Sequence, residues 1–258
     1  MVALALAAVG PARAAPPSVE LEALTWTELR DAIRAGATTI IIPAGGTEQN
    51  GPHMALGKHN VRARLLSARI AQALGDTIVA PVLAYVPEGA ISPPAGHMRF
   101  PGTISIPDAA FKATVEGAAR GFRQAGFAHI VLLGDHGGYQ AVLRQAATEL
   151  NKEWAGSKVR AHFIEDYYRA SEAAYAQALR GKGITDAQIG THAGTADTSL
   201  TLAVDPSLVR NDRLTGHGPA DGTQGDPAAS SAALGQLGVD LIVSQTVAAI
   251  RKARAEKQ

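Results

Sequence analysis

The sequence of 258 residues lacks cysteine, contains few aromatic residues and carries almost no net charge. Without cysteine, disulfide bonds, thiolate zinc sites and cysteine nucleophiles are all excluded. The formal net charge of +1, with no long run of like charges, provides no electrostatic basis for binding nucleic acid. We therefore expect a small-molecule substrate and chemistry carried by carboxylates and imidazoles.

Long hydrophobic runs are also scarce, and the most apolar one lies at the N-terminus. It is too short to span a bilayer and ends at Ala12-Arg13-Ala14, which is typical of a secretory signal with its cleavage site. The alternative is a disordered alanine-rich tail. We interpret residues 1–18 as a signal-peptide remnant with a linker and residues 19–258 as one domain. The protein is then periplasmic or secreted, without a membrane partner, because no other segment approaches transmembrane length.

Short apolar runs alternate with amphipathic helical patterns along the rest of the chain. The predicted strands are residues 38–44, 76–86, 129–133 and 159–165. The predicted helices are residues 26–35, 60–74 and 108–125, a stretch that ends near residue 154, and residues 228–253. Strands that alternate with helices form mainly parallel sheets covered on both faces, so the sequence predicts an α/β fold.

Local signals predict where these elements begin and end. Thr25 followed by Glu28 matches a capping box, and Asn60 is the expected cap of the second helix. Pro81 is expected to place the second strand at a sheet edge, to cause a bulge in it, or to end it early. Three helices are followed by a glycine that is expected to end them, namely Gly36, Gly75 and Gly126.

The segment from Pro43 to Asn60 combines glycines and prolines with several side chains that bind metals or protons. It contains Glu48, Asn50 and two histidines, and it directly follows a predicted strand. Because ligands bind beyond the carboxyl ends of parallel strands, we interpret this segment as a metal-binding loop. The alternative is a glycine- and proline-rich turn whose histidines are incidental.

Other carboxylates and histidines follow further predicted strands, or lie in loops that are expected to reach the carboxyl ends of the strands. Carboxylates and imidazoles without thiolates suit zinc, manganese or iron, as one ion or as two. The candidate ligands are Glu48, His59, His136 and Asp197. His192 stands five residues before Asp197 and is the candidate catalytic residue, acting as a proton shuttle. The residues expected to contact the substrate or to support the ligands are Asn50, His53, His97, Asp135 and Tyr139.

Five motifs, in order along the chain, resemble those of the creatininase family. P-A-G-G-T-E-Q-N-G-P-H is similar to the family loop G-S-x-E-Q-H-G-P-H, and H-M-R-F-P-G-T-I-S to H-x-x-F-P-G-T-x-S. G-D-H-G-G-Y-Q, H-A-G-T-A-D-T-S and a late G-D-P complete the resemblance. It implies a three-layer α/β/α fold, a dinuclear metal centre, amidohydrolase activity and often a hexamer. It also places Glu48, His136 and Asp197 on ligand positions and His192 on the acid–base histidine.

The chain departs from this family pattern at three positions. Asn50 replaces a ligand histidine, and His59 replaces an aspartate that bridges two metals in the family. Gly138 stands where the creatininase itself has a glutamate, which weakens the case for creatinine as the substrate. We therefore expect a mononuclear site formed by Glu48, His59, His136 and Asp197. The alternatives are a second metal that is weakly bound and a loss of activity.

These features together predict a metal-dependent hydrolase that acts on the C–N bond of a small amide, cyclic amides included. From the family resemblance we expect a homo-oligomer, with a hexamer as the specific expectation. The alternative function is that of a non-catalytic periplasmic protein, which retains the fold and binds a small molecule or a metal.

Overall fold

A computed structural model describes residues 16–256 of the chain. Most of the predicted signal peptide, residues 1–15, therefore lies outside the described residues. The described part contains a four-stranded sheet with the strand order β2-β1-β3-β4. The strands are β1 (Thr39–Ala44), β2 (Thr77–Val79), β3 (His129–Gly134) and β4 (Arg160–Phe163).

All pairings in this sheet are parallel. Ile40 of the central strand β1 pairs with Ile78 of β2 on one side and with Ile130 of β3 on the other. Parallel neighbours require crossover connections, and helices supply them here. The carboxyl ends of all four strands therefore lie on one rim of the sheet, which is where the candidate loops begin.

Helices cover both faces of the sheet, which confirms the three-layer α/β/α fold expected from the sequence. On one face lie α1 (Trp26–Ala35), α3 (Asp108–Ala125) and α4 (Gln140–Glu153). On the other face lie α2 (Lys58–Leu74), α5 (Asp166–Arg169), α6 (Tyr175–Arg180), α7 (Asp186–Ile189), α8 (Thr195–Val204) and α9 (Ala232–Ala255).

Side chains of each central strand alternate between two hydrophobic cores. Ile40 and Ile42 point into the core beneath α3 and α4, whereas Ile41 points into the core beneath α2 and α9. Because strand side chains alternate in direction, a strand buried on both faces appears as a continuous apolar run. This explains why the T-I-I-I sequence before the candidate metal loop predicts a central strand.

One expectation about element ends is confirmed and one is wrong. Strand β2 lies at the sheet edge and ends at Val79 instead of residue 86, an early end that agrees with the expected effect of Pro81, which lacks the amide hydrogen that a longer pairing needs. Helix α2 begins at Lys58 after Gly57, and Asn60 does not cap it. The Asn60 side chain instead accepts a hydrogen bond from the Gly46 amide at 2.9 Å and donates one to Thr47 Oγ1 at 3.1 Å. Asn60 thus shapes the beginning of the candidate metal loop.

The other local signals are confirmed. The Thr25 side chain accepts from the Glu28 amide and the Glu28 side chain accepts from the Thr25 amide, which completes a capping box at the start of α1. The three predicted terminal glycines all follow their helices in the left-handed conformation that ends helices, namely Gly36, Gly75 and Gly126.

The last helix, α9, corrects the expectation that no segment beyond the N-terminus reaches transmembrane length. Among the described residues, this helix is long and apolar enough to cross a membrane by length and composition alone. Several of its side chains lie in the second core, including Val239, Ile242 and Ile250. Packing against the sheet and against α2 and α8 thus accounts for part of its apolar character, since 39% of its most apolar window is buried.

A wider helical turn interrupts the helical segment that follows β4. Residues Ala170–Ala174 form a π-helix between α5 and α6. Before this turn, Tyr167 is buried and Tyr168 lines a cavity at the rim of the sheet. After it, Tyr175 and Leu179 are buried in the second core. Tyr168 before the π-helix therefore lies at the cavity, and Tyr175 and Leu179 after it pack in the second core.

Helices α8 and α9 approach each other so closely at Gly235 that no side chain fits there. A Cβ atom on Gly235 would lie 1.8 Å from the Ser199 carbonyl oxygen. Because this obstacle is backbone, the two helices must move apart. We expect Gly235→Ala to destabilise the protein by about 1–3 kcal/mol, the usual cost of overpacking.

The matched control is Gly121→Ala in α3, where a Cβ atom would meet nothing within 4 Å. This control is expected to be neutral or to stabilise by up to about 1 kcal/mol through helix propensity. Urea unfolding of both variants tests the prediction. Equal midpoints for the two variants would show that the α8–α9 contact is not tight.

Candidate metal centre and active site

A cavity of about 230 Å³ opens at the carboxyl rim of the sheet. The loop after β1 contributes Glu48, the start of α2 contributes Lys58 and His59, and the turn after β3 contributes His136. His192 enters from the segment before α8. The sequence-based expectation that these separate motifs meet at one rim therefore agrees with the fold. The volume lies below the roughly 300–1,000 Å³ of pockets for drug-sized ligands, which favours a small substrate.

Glu48 lies at the centre of this site and is fully buried. Its Oε1 accepts a hydrogen bond from His59 Nε2 at 2.8 Å and lies 3.9 Å from Lys58 Nζ. Its Oε2 lies 3.7 Å from a ring nitrogen of both His97 and His136. No described residue forms a hydrogen bond with Oε2. One oxygen of this carboxylate is thus neutralised by protein groups, and the other is not.

The surroundings keep Glu48 ionised. Burial alone would raise the pKa of this carboxyl group, because desolvation disfavours the charged form. The hydrogen bond and charge of His59, with the nearby charge of Lys58, outweigh burial and hold the pKa of Glu48 well below its usual range. A permanently ionised carboxylate with a free oxygen is suited to binding a cation.

His59 bridges two carboxylates. Its Nε2 donates to Glu48 and its Nδ1 donates to Asp135 Oδ2 at 2.6 Å. Burial would lower the pKa of His59, but the hydrogen bonds to Asp135 and Glu48 raise it overall. With both nitrogens donating, the ring carries a positive charge and offers no lone pair in this arrangement. The ligand role of His59 stays a prediction.

Asp197 lies next to the cavity but is occupied by two cations. Its Oδ2 accepts from Lys58 Nζ at 2.9 Å and its Oδ1 accepts from Arg62 at 2.8 Å. The Arg62 guanidinium also lies 3.1 Å from Asp135. Burial would raise the pKa of Asp197, but Lys58 and Arg62 hold it well below its usual range. The structure therefore joins Asp197 to an ion-pair network, and its ligand role stays a prediction.

The structure adds Glu88, which no motif in the sequence indicated. Glu88 follows β2 in a proline-rich loop, and its Oε2 lies 3.2 Å from His136 Nδ1. Burial, followed by the negative charge of Glu48, raises the pKa of Glu88 to about 8. Neither of its buried carboxylate oxygens has a hydrogen-bond partner among the described residues. Only the fold brings this loop next to His136, so sequence reasoning had no signal for it.

Two groups of three described residues are able to hold a metal ion. The first is Glu48, Glu88 and His136, and the second is Glu48, His97 and His192. The first group fits a cation better, because Glu48 Oε2 and both oxygens of Glu88 are buried without hydrogen-bond partners among the described residues. Such carboxylate oxygens are costly to bury unless they bind a proton or a metal. Carboxylate with imidazole also suits a divalent transition metal.

His192 is oriented by the backbone of the metal loop. Its Nε2 donates to the Gln49 carbonyl oxygen at 2.9 Å, which leaves the lone pair on Nδ1. That nitrogen lies 3.8 Å from Glu48 Oε1. Burial, together with the charge of Lys58, lowers the pKa of His192 to about 4. His192 is therefore neutral at pH 7 and able to accept a proton at the cavity wall.

His97 lies beside His192, with 4.1 Å between the ring centroids. Its Nδ1 accepts from Gln49 Nε2 at 2.6 Å. The cavity wall includes His97, and its contact with a substrate stays a prediction.

Of the remaining sequence-predicted residues, Asp135 lines the cavity. Asn50, His53 and Tyr139 do not line it but support the site. Asn50 donates to the Glu48 carbonyl oxygen at 2.9 Å and so holds the loop in shape. His53 bonds to the Thr198 hydroxyl group at 2.9 Å, and Tyr139 donates to the Ala44 carbonyl oxygen at 2.9 Å. Asp135 accepts from His59 and from Tyr167, so it orients His59 and does not cap the following helix.

The creatininase family profile, described as creatinine amidohydrolase, matches residues 22–250. The creatinine amidohydrolase of Pseudomonas putida is 29% identical over 206 residues, which cover 79% of this chain and 78% of that protein. The 3-dehydro-scyllo-inosose hydrolase of Thermotoga maritima is 24% identical over 208 residues, which cover 76% of this chain and 60% of that protein.

A solved structure gives the same result for the fold. The manganese form of a creatininase superposes with a TM-score of 0.75 at 26% identity, covering 93% of this chain and all of that chain. The family profile spans most of the chain and includes every residue of the cavity described above. The chain therefore belongs to the creatininase family of amidohydrolases.

Proposed function

We propose that the protein hydrolyses the C–N bond of a small amide with the help of a divalent transition metal. The observation that carries this proposal is the group of Glu48, Glu88 and His136, in which three buried carboxylate oxygens have no hydrogen-bond partner among the described residues. Membership of an amidohydrolase family supports the reaction type. The cavity of about 230 Å³ supports a small substrate.

Zinc, manganese or iron held by these side chains would polarise the amide carbonyl group and make water a better nucleophile at neutral pH. The protein supplies the rest of the chemistry. Lys58 and His59 provide fixed positive charge on one side of Glu48. The neutral Nδ1 of His192 accepts the proton of the attacking water and then donates it to the leaving nitrogen.

Replacing His192 with Gln is expected to lower kcat by about 10²- to 10⁴-fold, which is the usual contribution of a positioned acid–base group. KM is expected to change little, because the proton transfers occur in the transition state. Steady-state kinetics on the wild type and the variant measure both values. A variant that keeps the wild-type kcat would remove His192 from the reaction.

The function itself is tested by a hydrolysis screen over lactams, cyclic ureas, formamides and lactones. The protein is first freed of metal and then reloaded with zinc, manganese or iron separately. Turnover that depends on one of these metals and disappears in the Glu48→Gln variant would support the proposal. Binding of these compounds without turnover would favour the alternative, a non-catalytic binding protein.

We also propose that the protein forms a homo-oligomer and is exported. Two large hydrophobic side chains in the proline-rich loop between β2 and α3 are mainly exposed in the single chain, Tyr85 at 64% and Ile91 at 61%. Aromatic side chains such as Tyr85 are enriched at subunit interfaces. Light scattering tests the assembly, and N-terminal mass spectrometry of protein from a periplasmic fraction tests cleavage near Ala14.

A further inference from the structure

The structure assigns to this protein a single-metal centre in which Glu88 is a metal ligand and Lys58 with His59 replaces a second cation. This inference rests on the proposed metal-dependent function and specifies its site. It differs from the ligand set that the sequence predicts, because Glu88 takes the place given there to His59 and Asp197.

The first argument concerns the two oxygens of Glu48. On the Oε1 side, His59 lies at 2.8 Å and Lys58 at 3.9 Å. Lys58 is 1% exposed, so its charge is not screened by water. Together these two groups carry the charge of one divalent ion. A second metal on the Oε1 side would therefore meet two fixed positive charges and would be repelled.

The second argument concerns the other oxygen, Oε2, which faces a different set of groups. His136 lies between the two glutamates, with one ring nitrogen 3.7 Å from Glu48 Oε2 and the other 3.2 Å from Glu88 Oε2. Glu48 Oε2 and both oxygens of Glu88 form no hydrogen bond with any described residue. Two carboxylates facing each other in a dry site repel unless a proton or a cation lies between them. The single metal is therefore expected on this side.

The third argument is that the backbone makes room for Glu88. Gly46 has a φ of 144°, and a Cβ atom there would lie 2.2 Å from Glu88 Oε1. The amide of Glu88 is fixed by a hydrogen bond to Ser105 Oγ at 3.0 Å. A glycine is thus needed for the close approach of this carboxylate to the site. The second candidate group, Glu48, His97 and His192, contains only one buried carboxylate oxygen without a hydrogen-bond partner among the described residues, Glu48 Oε2, whereas the first group contains three.

Metal binding by the full-length protein tests the inference without measuring activity. Metal-free protein is titrated with zinc, manganese and cobalt, with stoichiometry from elemental analysis and Kd from chelator competition. We expect one equivalent per chain for the wild type. Glu88→Gln is expected to weaken metal binding at least about 100-fold. Loss of a residue that only supports a ligand weakens metal binding by about 100-fold at most. The visible absorption spectrum of bound cobalt is also expected to change.

Glu172→Gln is the matched control, because Glu172 lines the cavity but belongs to neither group of candidate ligands. It is expected to keep the stoichiometry and Kd of the wild type. Glu88→Asp keeps a carboxylate, so a folded protein of intermediate affinity is expected even if Glu88→Gln folds poorly.

Two results would overturn the inference: two tightly bound metals in the wild type, or an unchanged Kd and cobalt spectrum in a folded Glu88→Gln. These outcomes are separate from a failure of the proposed function. One metal bound through Glu88 without hydrolysis would remove the function and keep the site. Hydrolysis by a protein with two metals would remove the site and keep the function.

Discussion

Glu48→Gln is expected to lose both metal binding and hydrolysis. Glu48 takes part in both candidate metal groups, so no arrangement of the described ligands avoids it. Glutamine has the same shape but no charge, and its neutral amide oxygen binds transition metals poorly. A metal acting as a Lewis acid is worth several kcal/mol, and about 4 kcal/mol corresponds to a loss of about 10³-fold in rate.

The measurements are metal content after dialysis and kcat/KM on whichever substrate the hydrolysis screen identifies. Glu165→Gln serves as the control, because Glu165 also follows a strand at this rim but is paired with Arg144 on the surface. That pair is expected to contribute at most about 1 kcal/mol to stability and nothing to metal binding. Metal retention by Glu48→Gln at the wild-type level would contradict the assignment of the site.

Arg62→Met is expected to cause the largest loss of stability, about 3–5 kcal/mol, because it removes one of the two cations that neutralise each of two carboxylates, the buried Asp135 and the partly buried Asp197. Arg62 is buried and contacts both Asp135 and Asp197. Methionine fills a similar volume, so the effect reports charge rather than packing. Urea unfolding measures the free energy of unfolding, and for a domain of this size a shift in Tm on the order of 10 °C should accompany it.

Two controls separate buried from exposed charge. Arg120→Met breaks a surface pair with Glu153 and is expected to cost at most about 1 kcal/mol. Combining Arg62→Met with Asp197→Asn removes a cation and an anion together and is expected to cost less than the sum of the single changes. If Arg62→Met and Arg120→Met unfold at the same urea concentration, the buried network is not important for stability.

The fold was largely predictable from local patterns. The T-I-I-I and I-V-L-L runs are buried on both faces and therefore contain no polar alternation, which is the pattern of central parallel strands. Terminal glycines and the Thr25 capping box predicted helix ends because they act through bonds within a few residues. Asn60 was misassigned because a side chain suited to capping also suits a backbone amide 14 residues away.

The site was predictable only in part. Glu48, His136 and His192 lie in recognisable motifs, and the parallel topology brings them to one rim. Glu88 has no motif, and it reaches His136 only because β2 and β3 both flank β1. The pairing of Asp197 with Lys58 and Arg62 joins residues more than 130 positions apart, so no spacing rule indicates it.

The π-helix at Ala170–Ala174 shifts the helical register between the residues before it and the residues after it in the segment that follows β4. A wider turn of this kind changes the angular position of everything before it relative to everything after it. Tyr168 before the π-helix faces the cavity, whereas Tyr175 and Leu179 after it face the second core. In evolutionary terms, the cavity lining at Tyr168 can change while the packing of Tyr175 and Leu179 stays unchanged.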